Sequence, residues 1–172
     1  PTLARMAERG VLPLVLPELA PDGVEATASL AAHEASQGIA PDPIRRLAAL
    51  LPAEPRIADQ VAARLRLSTA QRKRLATAAA REAEIGDPRA LAFQLGREQA
   101  VDRLLLTGAD LAPLKDWAVP QFPLKGGAIV ARGVAAGPEV ARLLKEVERR
   151  WVAEGFPPES RIDQLLEEVL AR

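Results

Sequence analysis

The chain has 172 residues, 23 basic and 23 acidic side chains, and no cysteine. Disulfides, thiolate nucleophiles and cysteine-ligated zinc are therefore excluded, and zero net charge argues against a strong overall field for nucleic acid. No apolar stretch approaches the ~20 residues that span a bilayer, and no basic start followed by an apolar run marks a secretory signal.

Alanine and leucine dominate, tyrosine is absent, and 15 prolines are spread along the chain. Such a mix favours helix over sheet, and the prolines cut the helices short. The expectation is an all-α fold, a compact array of short helices with no sheet. The chain starts at Pro1 rather than Met, so a piece of a longer protein is expected. Lack of cysteine points to a cytoplasmic setting.

In chain order, a first helix is predicted over about Thr2 to Arg9, ended by Gly10. Leu12, Leu14, Val15 and Leu16 follow as a short apolar turn closed by Pro17. Pro21-Asp22-Gly23 is a turn signal, and Val24 to Ser36 is helical in pattern. Asp42-Pro43 reads as an N-cap with proline at the first helical position, opening a helix to about Leu51 that Pro52 and Pro55 stop. Ile57 to Leu65 is the next helix. Ser68 and Gln71 have capping-box spacing, starting a helix that runs to about Ala83. Asp87-Pro88 repeats the cap-and-proline signal and opens what reads as the longest helix, to about Leu106. Its apolar residues cover more than one face, which places it centrally. A short helix over Asp110 to Trp117 comes next. Two glycine-marked turns follow, Lys125-Gly126-Gly127 and Gly137-Pro138. Beyond the second, Val140, Leu143, Leu144, Val147 and Trp151 form one clean helical stripe. A last helix from Ser160 carries Ile162, Leu165, Leu166, Val169 and Leu170.

Catalytic chemistry has little to stand on. His33 is the one histidine, and it lies among alanines, where a structural or surface role is the plain reading. There is no H-E-x-x-H, P-loop or G-x-S-x-G pattern, and no carboxylate pair placed for two-metal chemistry. The expectation is no catalytic residue and no metal ligand in this chain.

Charge distribution says more than net charge. Residues 1–43 carry two lysine or arginine and six acidic side chains, whereas residues 56–103 carry ten basic and six acidic. Arg64, Arg66, Arg72, Lys73 and Arg74 crowd around the Ser68 cap with no acid among them. Two helices meet there, and the second offers its N-terminus, an arrangement suited to a phosphate backbone. A solvated helix start explains the cluster too. Gln71, Arg74 and Arg81 are expected to share a helical face. No aromatic residue interleaves, so base stacking is not supported. Lys125 with its two glycines reads as a second phosphate contact or, more plainly, as a tight packing turn.

Three stretches in order resemble the bacterial CCA-adding tRNA nucleotidyltransferases and the related poly(A) polymerases. Leu3–Leu19 (LARMAERGVLPLVLPEL) resembles the passage from that family's neck into its body, with Leu16-Pro17-Glu18 as its LPE-like triplet. Ala63–Leu75 (ARLRLSTAQRKRL) is similar to the family's R-L-[RK]-L-S-[NT] lead into an RNA-facing helix. Phe122–Trp151 is similar to its P-[VL]-[KS]-G-x-D-L pattern followed by G-x-x-x-G-P and a helix ending in Trp. Ala128 stands where that pattern has Asp, and Ala141 where it has Gly.

The resemblance implies residues 1–20 as the end of a neck, 21–118 as a helical RNA-facing body and 119–172 as a helical tail. It implies a non-catalytic fragment. A catalytic head elsewhere would use magnesium to add nucleotides from CTP and ATP to an RNA 3′ end, and no cofactor would belong to this part. The partner would be tRNA or another RNA 3′ region. Arg64, Arg66, Arg72, Lys73 and Arg74 would be the anchors, with Arg81, Lys125 and Arg132 as further contacts and Ser68 and Gln71 as the structural cap. The alternative is a helical protein-docking module or homodimer that has left RNA behind, favoured by the neutral charge, Ala128 and the acidic first quarter. Neither reading involves a membrane.

Overall fold

A computed structural model describes residues 2–81 and 86–171. The described residues form eleven α-helices, one short 3-10 turn and no strand, so the fold is all-α as the composition anticipates. The chain divides into two compact units, Pro1–Trp117 and Ala118–Arg172.

The first unit contains α1 (Thr2–Glu8), α2 (Leu12–Val15), α3 (Gly23–Ser36), α4 (Pro43–Leu50), α5 (Pro55–Arg64), α6 (Thr69–Ala79), α7 (Pro88–Leu95) and α8 (Arg97–Thr107). Local chemistry sets most of these bounds. The Asp42 side chain accepts from the Arg45 amide at 2.9 Å, and the Asp87 side chain accepts from the Arg89 amide at 3.0 Å. Proline follows each cap, where its missing N–H costs nothing. Pro55 does likewise for α5, so that helix opens two residues before Ile57.

Three expectations are corrected. The stretch from Pro88 to Leu106 is two helices, broken at Gly96, which adopts φ +86° and ψ 153°. Its apolar residues cover more than one face because α7 and α8 bury different ones: Ala92 from α7, and Ala100, Leu104 and Leu105 from α8. The short helix over Asp110 to Trp117 shrinks to a 3-10 turn, Ala112–Leu114. Helix α6 ends at Ala79, which leaves Arg81 beyond it, so Arg81 does not continue the helical face of Gln71 and Arg74. The predicted end at Ala83 falls outside the described residues.

The core of this unit gathers Leu16, Ile44, Leu51, Val61, Leu75 and the alanines of α4, α5 and α6. Small side chains let these helices approach closely. At the start of α3, Gly23 lies tight against the end of α4, where an added Cβ would lie 2.5 Å from the Leu50 carbonyl oxygen. Helix α8 packs against α3, α4 and α6, so it is central.

The second unit consists of α9 (Gly126–Val130), α10 (Pro138–Ala153) and α11 (Glu159–Leu170). The α10 stripe buries Val140, Leu143, Val147 and Trp151, and α11 answers with Ile162, Leu165, Leu166 and Val169. Gly126 sits against α10, where an added Cβ would meet the Val140 side chain at 3.1 Å. The Trp151 indole N–H donates to the Pro157 carbonyl at 2.8 Å, and its ring meets Phe122 and Phe156 at 5.4 and 5.0 Å.

Candidate functional site

The elbow between α5 and α6 is built from two tight devices. Helix α5 closes with a Schellman motif: the Leu67 amide donates to the Ala62 carbonyl at 2.9 Å, and the Arg66 amide donates to the Ala63 carbonyl at 3.1 Å. That motif needs a left-handed residue, and Arg66 fills the position at φ +54°. Helices α1, α3, α8 and α10 close with the same bond pattern, but there the left-handed residues are Gly10, Gly38, Gly108 and Gly155. A side chain in that conformation costs about 1–2 kcal/mol. Immediately after, Ser68 and Gln71 form a reciprocal capping box, with Gln71 N–H to Ser68 Oγ at 3.3 Å and Ser68 N–H to Gln71 Oε1 at 3.0 Å. Residues 63–66 and 68–73 are all exposed, while Leu67 tucks against the core.

The structure distributes the candidate cations unevenly. Arg66 and Lys73 are exposed and make no ion pair among the described residues. Arg64 donates to Glu18 at 2.5 Å and to the Val15 carbonyl at 3.2 Å. Arg72 grips the Asp59 carboxylate with both ends of its guanidinium. These hydrogen bonds, ahead of the opposing desolvation, hold Asp59 below the usual carboxylate range and raise Arg72. Both pairs lie at the surface, a class worth about 0–1 kcal/mol.

Arg74 is half-buried and turned toward α8. Its Nε and Nη2 grip Asp102 at 2.6 and 2.9 Å, and its Nη1 reaches Asp42 and Glu98 at 3.0 and 3.1 Å. The hydrogen bond to Asp102 comes first in raising its pKa. Arg81 donates to the Ala48 and Leu51 carbonyls at 3.1 and 3.0 Å, closing the end of α4, and burial lowers its pKa. In the second unit, Arg132 bridges Glu167 and Asp163 at 2.8 Å each, and these bonds raise its pKa. Lys125 is exposed at the N-cap of α9, which is only five residues long.

The interior network is the feature that the sequence reading did not single out. Arg45, buried on α4, donates Nη1 to Glu34 of α3 at 2.7 Å and Nε to Asp102 of α8 at 2.8 Å. Asp102 is 0% exposed and is shared by Arg45 and Arg74. Arg46 covers the outer oxygen of Glu34 at 2.8 Å. Burial would push Asp42 up, but the Arg45 amide and the Arg74 guanidinium outweigh it and hold Asp42 low. One chain of charges thus ties α3, α4, α6 and α8 together, and no buried side-chain donor or acceptor among the described residues lacks a partner. A signal was there: Glu34 falls in register with Thr27 and Leu30, and Asp102 stands three before Leu105, each on the buried stripe of its helix.

Among the described residues, no group of three or more acidic or histidine side chains is placed to hold a metal ion, and no helix is long and apolar enough to cross a membrane. No protein-family model matches the chain, and no curated protein matches it.

Proposed function

We propose that this chain is an RNA-holding helical body of the kind found in tRNA nucleotidyltransferases and poly(A) polymerases, with the α5–α6 elbow as its phosphate-binding edge. The observation that carries this reading is Arg66. A position that four other helices fill with glycine here holds an arginine in the left-handed conformation, exposed and outside any ion pair among the described residues. Backbone strain of that kind persists only where the surrounding structure holds it, and it clusters at functional sites. Lys73 stands on the next helix, and Arg64 and Arg72 flank the same turn in surface ion pairs.

The anchor set is therefore Arg64, Arg66, Arg72 and Lys73. Arg74 and Arg81 support the fold beneath it, and Arg132 is engaged by two carboxylates. Magnesium and the CTP- and ATP-using chemistry would belong to a separate head, and the role of this chain would be grip.

The test uses labelled tRNA and two variants. Arg66→Gly should stabilise the fold by about 1 kcal/mol in urea denaturation, because the strain is relieved. The same variant should bind tRNA more weakly, and Lys73→Glu more weakly still, uniformly across RNA sequences. An Arg66→Gly chain that binds like the wild type would remove the elbow from the account.

A further inference from the structure

A cleft of about 410 Å³ opens in the first unit between the end of α3, the start of α8 and the 3-10 turn Ala112–Leu114. Its lining is largely apolar: Ile39 and Val101 are half-buried, and Leu111 and Leu114 are buried. Gln37, Arg97 and Lys115 supply its polar side chains, and no acid is among its described lining residues. Size and composition both fit a small-molecule site, which is an apolar chamber with a few convergent polar groups. We infer that this cleft binds a small carboxylic acid with an apolar body.

The polar groups are open to such a ligand. Lys115 is exposed and makes no ion pair among the described residues, and the half-buried Gln37 side chain makes no hydrogen bond among them. Arg97 spends Nη1 on the Trp117 carbonyl at 2.6 Å, and no carboxylate among the described residues neutralises its charge. The nearby acids are placed elsewhere. Glu98 meets Arg74 at 3.1 Å, the Asp110 carboxylate accepts from the Ala112 amide at 3.0 Å, and neither these nor Asp116 line the cleft. A carboxylate suits this rim, because a guanidinium and an ammonium both give it charge-assisted hydrogen bonds. An organic cation is repelled there, and a bare phosphate leaves the apolar lining uncovered. The walls are also fixed in advance. Helix α3 closes with Gly38 at φ +65° and the Ile39 amide donating to the Glu34 carbonyl at 2.8 Å. Arg89 and Arg97 strap the segment around the 3-10 turn through the Pro113 and Trp117 carbonyls. A cleft formed beforehand loses little to ordering when it binds. This inference goes beyond the RNA reading and does not rest on it, since no residue of the α5–α6 elbow lines the cleft.

The experiment follows the methyl NMR signals of the full chain during titration with phenylbutyrate. Saturable shifts are expected at Ile39, Val101, Leu111 and Leu114. Phenylbutylamine keeps the body and reverses the charge, whereas acetate keeps the charge and lacks the body. Each should bind at least about tenfold more weakly than phenylbutyrate. Lys115→Glu, at an exposed side chain, should weaken phenylbutyrate by about tenfold or more and leave tRNA binding unchanged, and Lys115→Arg should restore the affinity. Lys73→Glu should weaken tRNA and leave phenylbutyrate unchanged, so failure of this inference and failure of the RNA reading are separately visible. Equal affinity of wild type and Lys115→Glu for phenylbutyrate would overturn the proposal, as would equal binding of phenylbutylamine or the absence of saturable shifts at the four methyl-bearing residues. Displacement of phenylbutyrate by an equal concentration of inorganic phosphate would assign the cations to bare anions instead. Loss of tRNA binding in Lys115→Glu without loss of phenylbutyrate would assign Lys115 to RNA.

Discussion

Asp102 is the residue on which the first unit turns. With no exposure and two arginines sharing its oxygens, it is a buried carboxylate whose desolvation is offset by short, charge-assisted bonds. Removing one partner of such a set leaves a buried charge uncompensated. Asp102→Asn should therefore cost about 3–5 kcal/mol by urea denaturation, whereas Arg45→Met combined with Asp102→Leu should cost less than Asp102→Asn alone. Arg74 shows why the basic cluster could not be divided into anchors and supports beforehand. Arg72, Lys73 and Arg74 are consecutive, yet a helix turns each through a different direction, and only the tertiary position of α8 decides that Arg74 meets Asp102. Arg66 was legible as a cation but not as a strained one, since a left-handed C′ residue announces itself in sequence only when it is glycine.

At the scale of elements, caps and breaks explain the bounds. Ser68 and Gln71 satisfy two amides of the α6 start and fix its angle to α5. Ser68→Ala should lower stability by about 1 kcal/mol and blunt tRNA binding with it, checked by denaturation and anisotropy on the same sample. Such signals read well because they depend on residue types a few positions apart: Asp42-Pro43 and Asp87-Pro88 open helices where they stand. The break at Gly96 did not read, because an isolated glycine is tolerated within a helical pattern, and the stripes of α7 and α8 superpose into one broad apolar surface. Helix α10 carries its own electrostatic signature. Hydrogen bonds from Arg149 and Arg150 hold Glu146 down at about 2 against an ordinary 4.5. A carboxylate depressed in the folded state contributes stability above its unfolded pKa and loses it as pH falls through the folded value. The pair's contribution is thus complete at neutral pH and fades between about 4.5 and 2. Glu139 and Glu154, also lowered by Arg142 and Arg161, act in the same direction. Thermal melts at neutral and acid pH should show a smaller acid loss for Glu146→Gln than for the wild type.

For the whole molecule, zero net charge is the sum of charges tied into ion pairs and of cations and acids that stand outside them. Arg45, Arg46 and Arg74 are spent on holding four helices together, and Arg132, Arg142, Arg149 and Arg161 on pairs within the second unit. The helical class followed from composition and proline content alone, because those set what the backbone can form. The split between structural and available cations did not, because it depends on which helices meet. On the proposed reading, the cations left at the surface of the α5–α6 elbow, Arg66 and Lys73, would supply a local phosphate grip without an overall basic protein. The measurement that bears most directly on this is the affinity for tRNA between roughly 50 and 200 mM salt. Four phosphate contacts should weaken binding about 100-fold over that range, and Lys73→Glu should flatten the slope by about one contact. Binding that ignores salt, or no binding at the lower concentration, would contradict the account.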